Sequence, residues 1–286
     1  MSIGDFVDTE NSNVLADAAQ NCRMVFFTGL PASGKSFLMR EQISIAVAAG
    51  RRVQIIRWDA GIAAFARDSI LERYPDAGDG SHPVIRKAAG LWARQAVARW
   101  LSEHLDPAEM LIGEAPIIGS RYSELVQVIP DAAEPALGSN ITAFFYPVPT
   151  TEVREKLEAI RKATFANPQH PDEAKDAPPE IMNLAWRLTC AKAIELGLVN
   201  AGDIRDQSIY DETTYRRFFD HLLRHRNARA IDIDVLYSVS GSAHDLDGSI
   251  SELLATQSEI ENAIASVELA MTPEKVAREV ENWYRV

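Results

Sequence analysis

Apolar and polar positions switch period along the chain, and the switches mark the elements. The run at 24–28, Met-Val-Phe-Phe-Thr, is short and continuously apolar, which predicts a buried strand. Helical spacing follows over 36–49 and stops at Gly50. The pattern then predicts a strand over 53–58, a helix over 60–74, and a loop over 75–83 carrying Pro75, Gly78, Gly80 and Pro83. A long amphipathic helix is predicted over 84–105, strands over 110–113 and 141–148, and a helix over 151–165. Pro168, Pro171, Pro178 and Pro179 exclude regular structure from 167–179. Helices over 181–196, ended by Gly197, and over 210–226 precede a fifth strand at 231–237. Two helices close the chain. Ile250, Leu253, Leu254, Ile260, Ile264 and Val267 share a face of the first, and Thr272-Pro273 caps and starts the second. Strands alternating with helices predict an α/β fold of three layers around a mainly parallel, five-stranded sheet. The expected organisation is an N-terminal arm at 1–20, frayed or capping, a core over 21–239 and a helical extension over 240–286.

Between the first strand and the first core helix stands Gly29-Leu-Pro-Ala-Ser-Gly34-Lys35-Ser36, which matches the phosphate-loop pattern G-x-x-x-x-G-K-[ST] at every fixed position. The glycines let the backbone curl so that its amides point inward at phosphate oxygens. The helix beginning near Lys35 adds the positive end of its dipole. The expected nucleotide-binding stretch is Gly29, Leu30, Pro31, Ala32, Ser33, Gly34, Lys35, Ser36 and Phe37. Lys35 can reach the β- and γ-phosphates, and the Ser36 hydroxyl can ligate Mg²⁺.

A phosphate loop names a nucleotide, not a reaction. A GTPase needs D-x-x-G after its third strand; the one instance, Asp245-Leu-Asp-Gly248, lies beyond the last strand, and no [NT]-K-x-D exists. An AAA-type ATPase needs an acidic pair where Gly113 is followed by the single acid Glu114. A small-molecule or nucleotide kinase needs only the loop, an acid near the nucleophile and arginines in a lid.

On these residues the chain resembles, over about 22–238, the P-loop kinases that include nucleotide kinases, adenylylsulfate kinase, chloramphenicol phosphotransferase and zeta-toxin-like kinases. The resemblance implies a P-loop fold with a lid at about 150–180, and an ATP-dependent phosphotransferase assisted by Mg²⁺. Asp59, directly after the second strand, would accept or orient the proton of the acceptor hydroxyl; its other reading is a helix N-cap. Glu114 would hold magnesium-bound water or a substrate hydroxyl, on a strand expected beside the phosphate-loop strand. Arg121 and Arg67 would lie on the acceptor side. Arg154 and Arg161, seven apart on one helix side, would close over the transferring phosphoryl group.

Other candidates read more plainly. His82 and His170 lack partners at metal-ligand spacing, and Trp92 and Trp100 read as core. Trp58 reads as core, or as a surface on which a planar substrate stacks. Residues 215–229 hold five arginines against one acid, either a solvated helix end or a contact for adenine or a polyanion.

The net charge of −12 argues against a protein that coats nucleic acid. It is uneven, however: 1–20 carry −4, 240–286 carry −6, and the core is left with −2. The acceptor is therefore expected to be a small metabolite or a nucleotide-like molecule bearing a hydroxyl. A nucleotide or a base within DNA is the alternative, and a non-kinase NTP-binding regulatory ATPase a third reading. The acidic start has no apolar stretch, no run approaches membrane-spanning length, and only Cys22 and Cys190 are present, so a cytoplasmic setting and no membrane partner are expected.

Overall fold

The computed structural model describes residues 5–76, 80–168, 178–204, 206–237 and 250–286. The first half runs α1 (Glu10–Asn21), β1 (Met24–Phe27), α2 (Lys35–Ala48), β2 (Arg52–Arg57), α3 (Trp58–Phe65), α4 (Asp68–Arg73), α5 (Pro83–Glu103) and β3 (Glu109–Glu114). Then come α6 (Glu134–Leu137), β4 (Thr142–Pro149), α7 (Thr151–Ala166), α8 (Pro179–Glu195), α9 (Glu212–Leu222) and β5 (Ala228–Ile233). The chain closes with β6 (Ser251–Glu252), α10 (Gln257–Ala270) and α11 (Pro273–Glu281).

The six strands form one sheet in the order β5-β4-β1-β3-β2-β6, every pair parallel. β1 and β4 are buried along their whole length because helices cover both faces. Alternate residues of β1 feed two separate cores. Met24 and Phe26 face Trp92, Trp100, Phe218, Ile260 and Val276, from α5, α9, α10 and α11. Val25 and Phe27 face Leu15, Leu38, Ile43 and Val153, from α1, α2 and α7. The result is three layers. Among the described residues no helix is long and apolar enough to cross a membrane.

The structure corrects several expectations. The sheet has six strands, not five. β6 is only two residues long, so it leaves no periodic signature; it is held by its register on Gln54 and Ile55 and by the Arg57–Glu252 ion pair at 2.9 Å. Ile250, Leu253 and Leu254 therefore lie outside α10, which starts after a Thr256–Glu259 capping box. The N-terminal segment is no frayed arm: α1 buries Val14, Leu15, Ala18 and Ala19. The helix expected over 60–74 is two helices broken at Ala66–Arg67, and Trp58 opens the first of them instead of ending β2.

Candidate active site

The loop from Gly29 to Gly34 curls through three left-handed residues, Gly29 (φ 137°), Ala32 (φ 56°) and Gly34 (φ 99°). At Gly29 a side chain is excluded twice, by this conformation and because a Cβ would stand 2.6 Å from the Tyr215 hydroxyl oxygen. The first internal bond of α2 is Leu38 N–H to Gly34 O, so the Lys35, Ser36 and Phe37 amides precede the helical ladder at its positive end. Lys35 is 6% exposed. Its Nζ donates to the Leu30 carbonyl at 2.8 Å and lies 3.6 Å from Glu114 Oε1. Burial, with the Arg161 and Arg154 charges, pushes the Lys35 ammonium below its usual value; Glu114 and Asp59 oppose this.

Sheet register builds the acidic side. β3 pairs with β1 as expected, Phe27 opposite Glu114, and with β2, Arg57 opposite Glu114. Asp59, two residues past Arg57, thus shares a rim with Glu114 at the carboxyl ends of the strands, where α/β sheets bind ligands. Asp59 is not the N-cap of α3; that position is Arg57, and Asp59 lies inside the first turn. Its side chain is exposed at the protein surface. Desolvation and then Glu114 hold its carboxyl above the usual aspartate value, against Arg121, Lys35 and Arg57.

Arg121 is presented by a tight loop after β3, closed by an Ile117–Arg121 bridge. Ile117, Ser120 and Tyr122 all have φ above 60°. Such strain persists where the surroundings enforce it, and it concentrates at functional sites. Here the Tyr122 ring packs edge-on against Trp58 at 5.1 Å. Arg121 also lines a groove of about 380 Å³ with Ile118, Leu184, Leu188 and Trp283.

The remaining candidates are dispersed. Arg154 is 1% exposed, pairs with Glu158 at 2.7 Å and donates from Nη1 to the Pro31 carbonyl at 2.6 Å. Arg161 is half-buried and its charge reaches Lys35. Arg67 turns away, to the Ala64 carbonyl and Gln257 of α10. The Phe37 ring packs with Phe6 and Tyr237, leaving only its amide toward the loop. Trp58 is core. The arginines of 215–229 divide: Arg226 is buried on the Leu125 and Gln127 carbonyls and Glu134, Arg216 pairs with Asp232 and Arg229 with Glu10, while Arg217 and Arg224 are exposed and donate to the Leu198 and His221 carbonyls. His82 caps α5. His170, Asp245 to Gly248 and the lid tip at 169–177 lie outside the described residues.

No known protein family, curated protein or solved structure matches the chain. The site therefore rests on its own geometry. That geometry adds Tyr210 and Tyr215, which the sequence reading missed; nothing in their spacing ties α9 to a loop some 180 residues earlier.

Proposed function

We propose that the protein is an ATP-dependent phosphotransferase that moves the γ-phosphoryl group to a hydroxyl of a small or nucleotide-like acceptor. One observation carries the reading: Lys35, Asp59 and Glu114 meet at the carboxyl end of the sheet, beside a curled glycine loop and the amino end of α2.

The chemistry follows from the charges. The loop amides and Lys35 are suited to hold polyphosphate oxygens. Asp59, kept less acidic than usual, is suited to take the acceptor hydroxyl proton as the oxygen–phosphorus bond forms and the bond to ADP breaks. Arg161 adds positive charge beside Lys35, where negative charge spreads in the transition state. The groove at Arg121, lined by apolar side chains and by Arg86, Lys192 and Glu281, offers room for an acceptor, and the Arg121 charge acts on Asp59.

Magnesium, when bound, would neutralise charge on the transferring phosphate; Ser36 and Glu114 fit it in donor chemistry. Among the described residues no three His, Cys, Asp or Glu gather, so water and phosphate would supply the other ligands, as is usual for this ion. Trp58, which suggested a DNA base as acceptor, is packed in the core, and Arg216, Arg226 and Arg229 are engaged in ion pairs, which favours the small acceptor.

Labelled ATP turned over against a panel of hydroxylated metabolites and nucleotides tests this. The expected result is acceptor-dependent ADP and a phosphorylated product, reduced about 10²- to 10⁴-fold by Asp59→Asn with ADP binding retained. Acceptor-independent ADP, or none, would favour the regulatory ATPase reading.

A further inference from the structure

Four of the buried polar groups without a hydrogen-bond partner belong to one contiguous cluster: Ser33 Oγ, Arg154 Nη2, Tyr210 Oη and Tyr215 Oη. All four residues are more than nine-tenths buried. The Tyr215 hydroxyl sits against Gly29, beside the Leu30 amide and the Ser33 hydroxyl, without completing a bond to either. The Tyr210 and Tyr215 rings are 5.6 Å apart, and the Arg154 guanidinium lies 5.6 Å over Tyr210. Native proteins rarely leave such groups unpaired, because each has given up its water for nothing. A cluster of four beside one loop needs a reason.

The cluster is a bracket. Arg154 comes from the first turns of α7 and Tyr215 from the first turn of α9. The two helix starts are tied by the Thr151 amide donating to Glu212 at 2.9 Å. From this block Arg154 holds the Pro31 carbonyl and Tyr215 fills the space behind Gly29. The arch that would wrap phosphate is gripped from outside at two points. Spare donors remain in the grip, and a small movement of Ser33 would pair its hydroxyl with that of Tyr215.

Resting on the phosphotransferase reading, we propose that Tyr215 is a positioning residue for the nucleotide. Together with Arg154 and Ser33 it sets the shape of the glycine loop, and its hydroxyl bond is completed when the loop tightens on polyphosphate. The two arginines of α7 then divide the work. Arg154 shapes the loop and acts on ATP and ADP alike. Arg161, about 10 Å further along the helix, acts on the transferring group.

Calorimetric titration of ADP and of a non-hydrolysable ATP analogue, with unfolding of the unloaded protein, tests the proposal. Tyr215→Phe removes a hydroxyl that stands beside the Leu30 amide and the Ser33 hydroxyl without a well-formed bond to either. Its unloaded melting temperature should hold or rise, while both nucleotides bind about tenfold more weakly, the worth of one hydrogen bond gained on binding. KM for ATP should rise with kcat retained. Ser33→Ala should do the same, and the double variant should be no worse than either single one, because each hydroxyl acts through the other. Arg161→Ala should lower kcat and leave ADP affinity intact. A lower melting temperature with unchanged affinities, or additive Tyr215 and Ser33 effects, would overturn the positioning role while nucleotide binding stands. Failure of the unaltered protein to bind either nucleotide would overturn the phosphotransferase reading with it.

Discussion

Among the described residues two buried lysines pair with glutamate, and they differ in how far their charge is compensated. Lys87 of α5 lies 3.2 Å from Glu124 and 3.1 Å from Glu279 of α11. Among the described residues Lys35 of α2 has one carboxylate within ion-pair distance, Glu114 at 3.6 Å. Their side chains are nearly equally hidden, 8% and 7% exposed. Burial would push both ammonium groups down, yet Glu124 and Glu279 outweigh it and hold Lys87 above its usual value. At Lys35 burial wins, helped by Arg161 and Arg154. One lysine is compensated by two carboxylates and knits α5, the turn at Ser123–Leu125 and α11 together. The other has one carboxylate within ion-pair reach, beside the amides that open α2. A buried cation held by one carboxylate, with its ammonium pushed below the usual value, is suited to an anion supplied from outside.

Breaking the first pair should have the largest effect. Lys87→Met strands Glu124, which is 1% exposed, and should destabilise the fold by about 3–5 kcal/mol in urea unfolding. Gly90→Ala should come next. Helix propensity favours alanine, but its Cβ would stand 1.9 Å from a Glu124 carboxylate oxygen, so a loss of about 1–3 kcal/mol is expected. Lys35→Met should cost no stability at neutral pH, and a slight gain is expected.

The smallest effects are the pH slopes, and they have opposite signs. Lys87, raised in the fold, contributes stability that is present below the unfolded lysine value and is lost as pH rises through the folded one. Lys35, lowered in the fold, is disfavoured while charged, so stability rises as pH climbs through its folded value. Unfolding free energies of the two methionine variants against the parent, from about pH 8 to about pH 11, should diverge from the parent in opposite directions. In kinetics, the raised Asp59 carboxyl should place the acid limb of kcat/KM above the ordinary aspartate range near 3.9.

The contrast also explains what the sequence could disclose. The glycine loop, Asp59 and Glu114 are legible because each is fixed by a local rule: a short motif, or an acid where an apolar strand ends. The Lys87–Glu124–Glu279 cluster has no such rule, since its members lie on three elements whose approach depends on tertiary packing. Tyr215 is hidden for the same reason; on its own helix it is one more apolar-face aromatic. Arg154 and Arg161 share a helix side as their spacing requires, but periodicity does not reveal that one is buried under Pro31. β6 escapes because two residues cannot show a period.

The central claim is that the cluster around Lys35 receives a nucleotide polyphosphate. Calorimetric titration of magnesium–ADP into the parent protein, Lys35→Met and Tyr215→Phe tests it most directly. Saturable binding to the parent is expected, with loss of binding in Lys35→Met without loss of fold, and weakened binding in Tyr215→Phe. Equal binding to the parent and to Lys35→Met, or none to the parent, would contradict it.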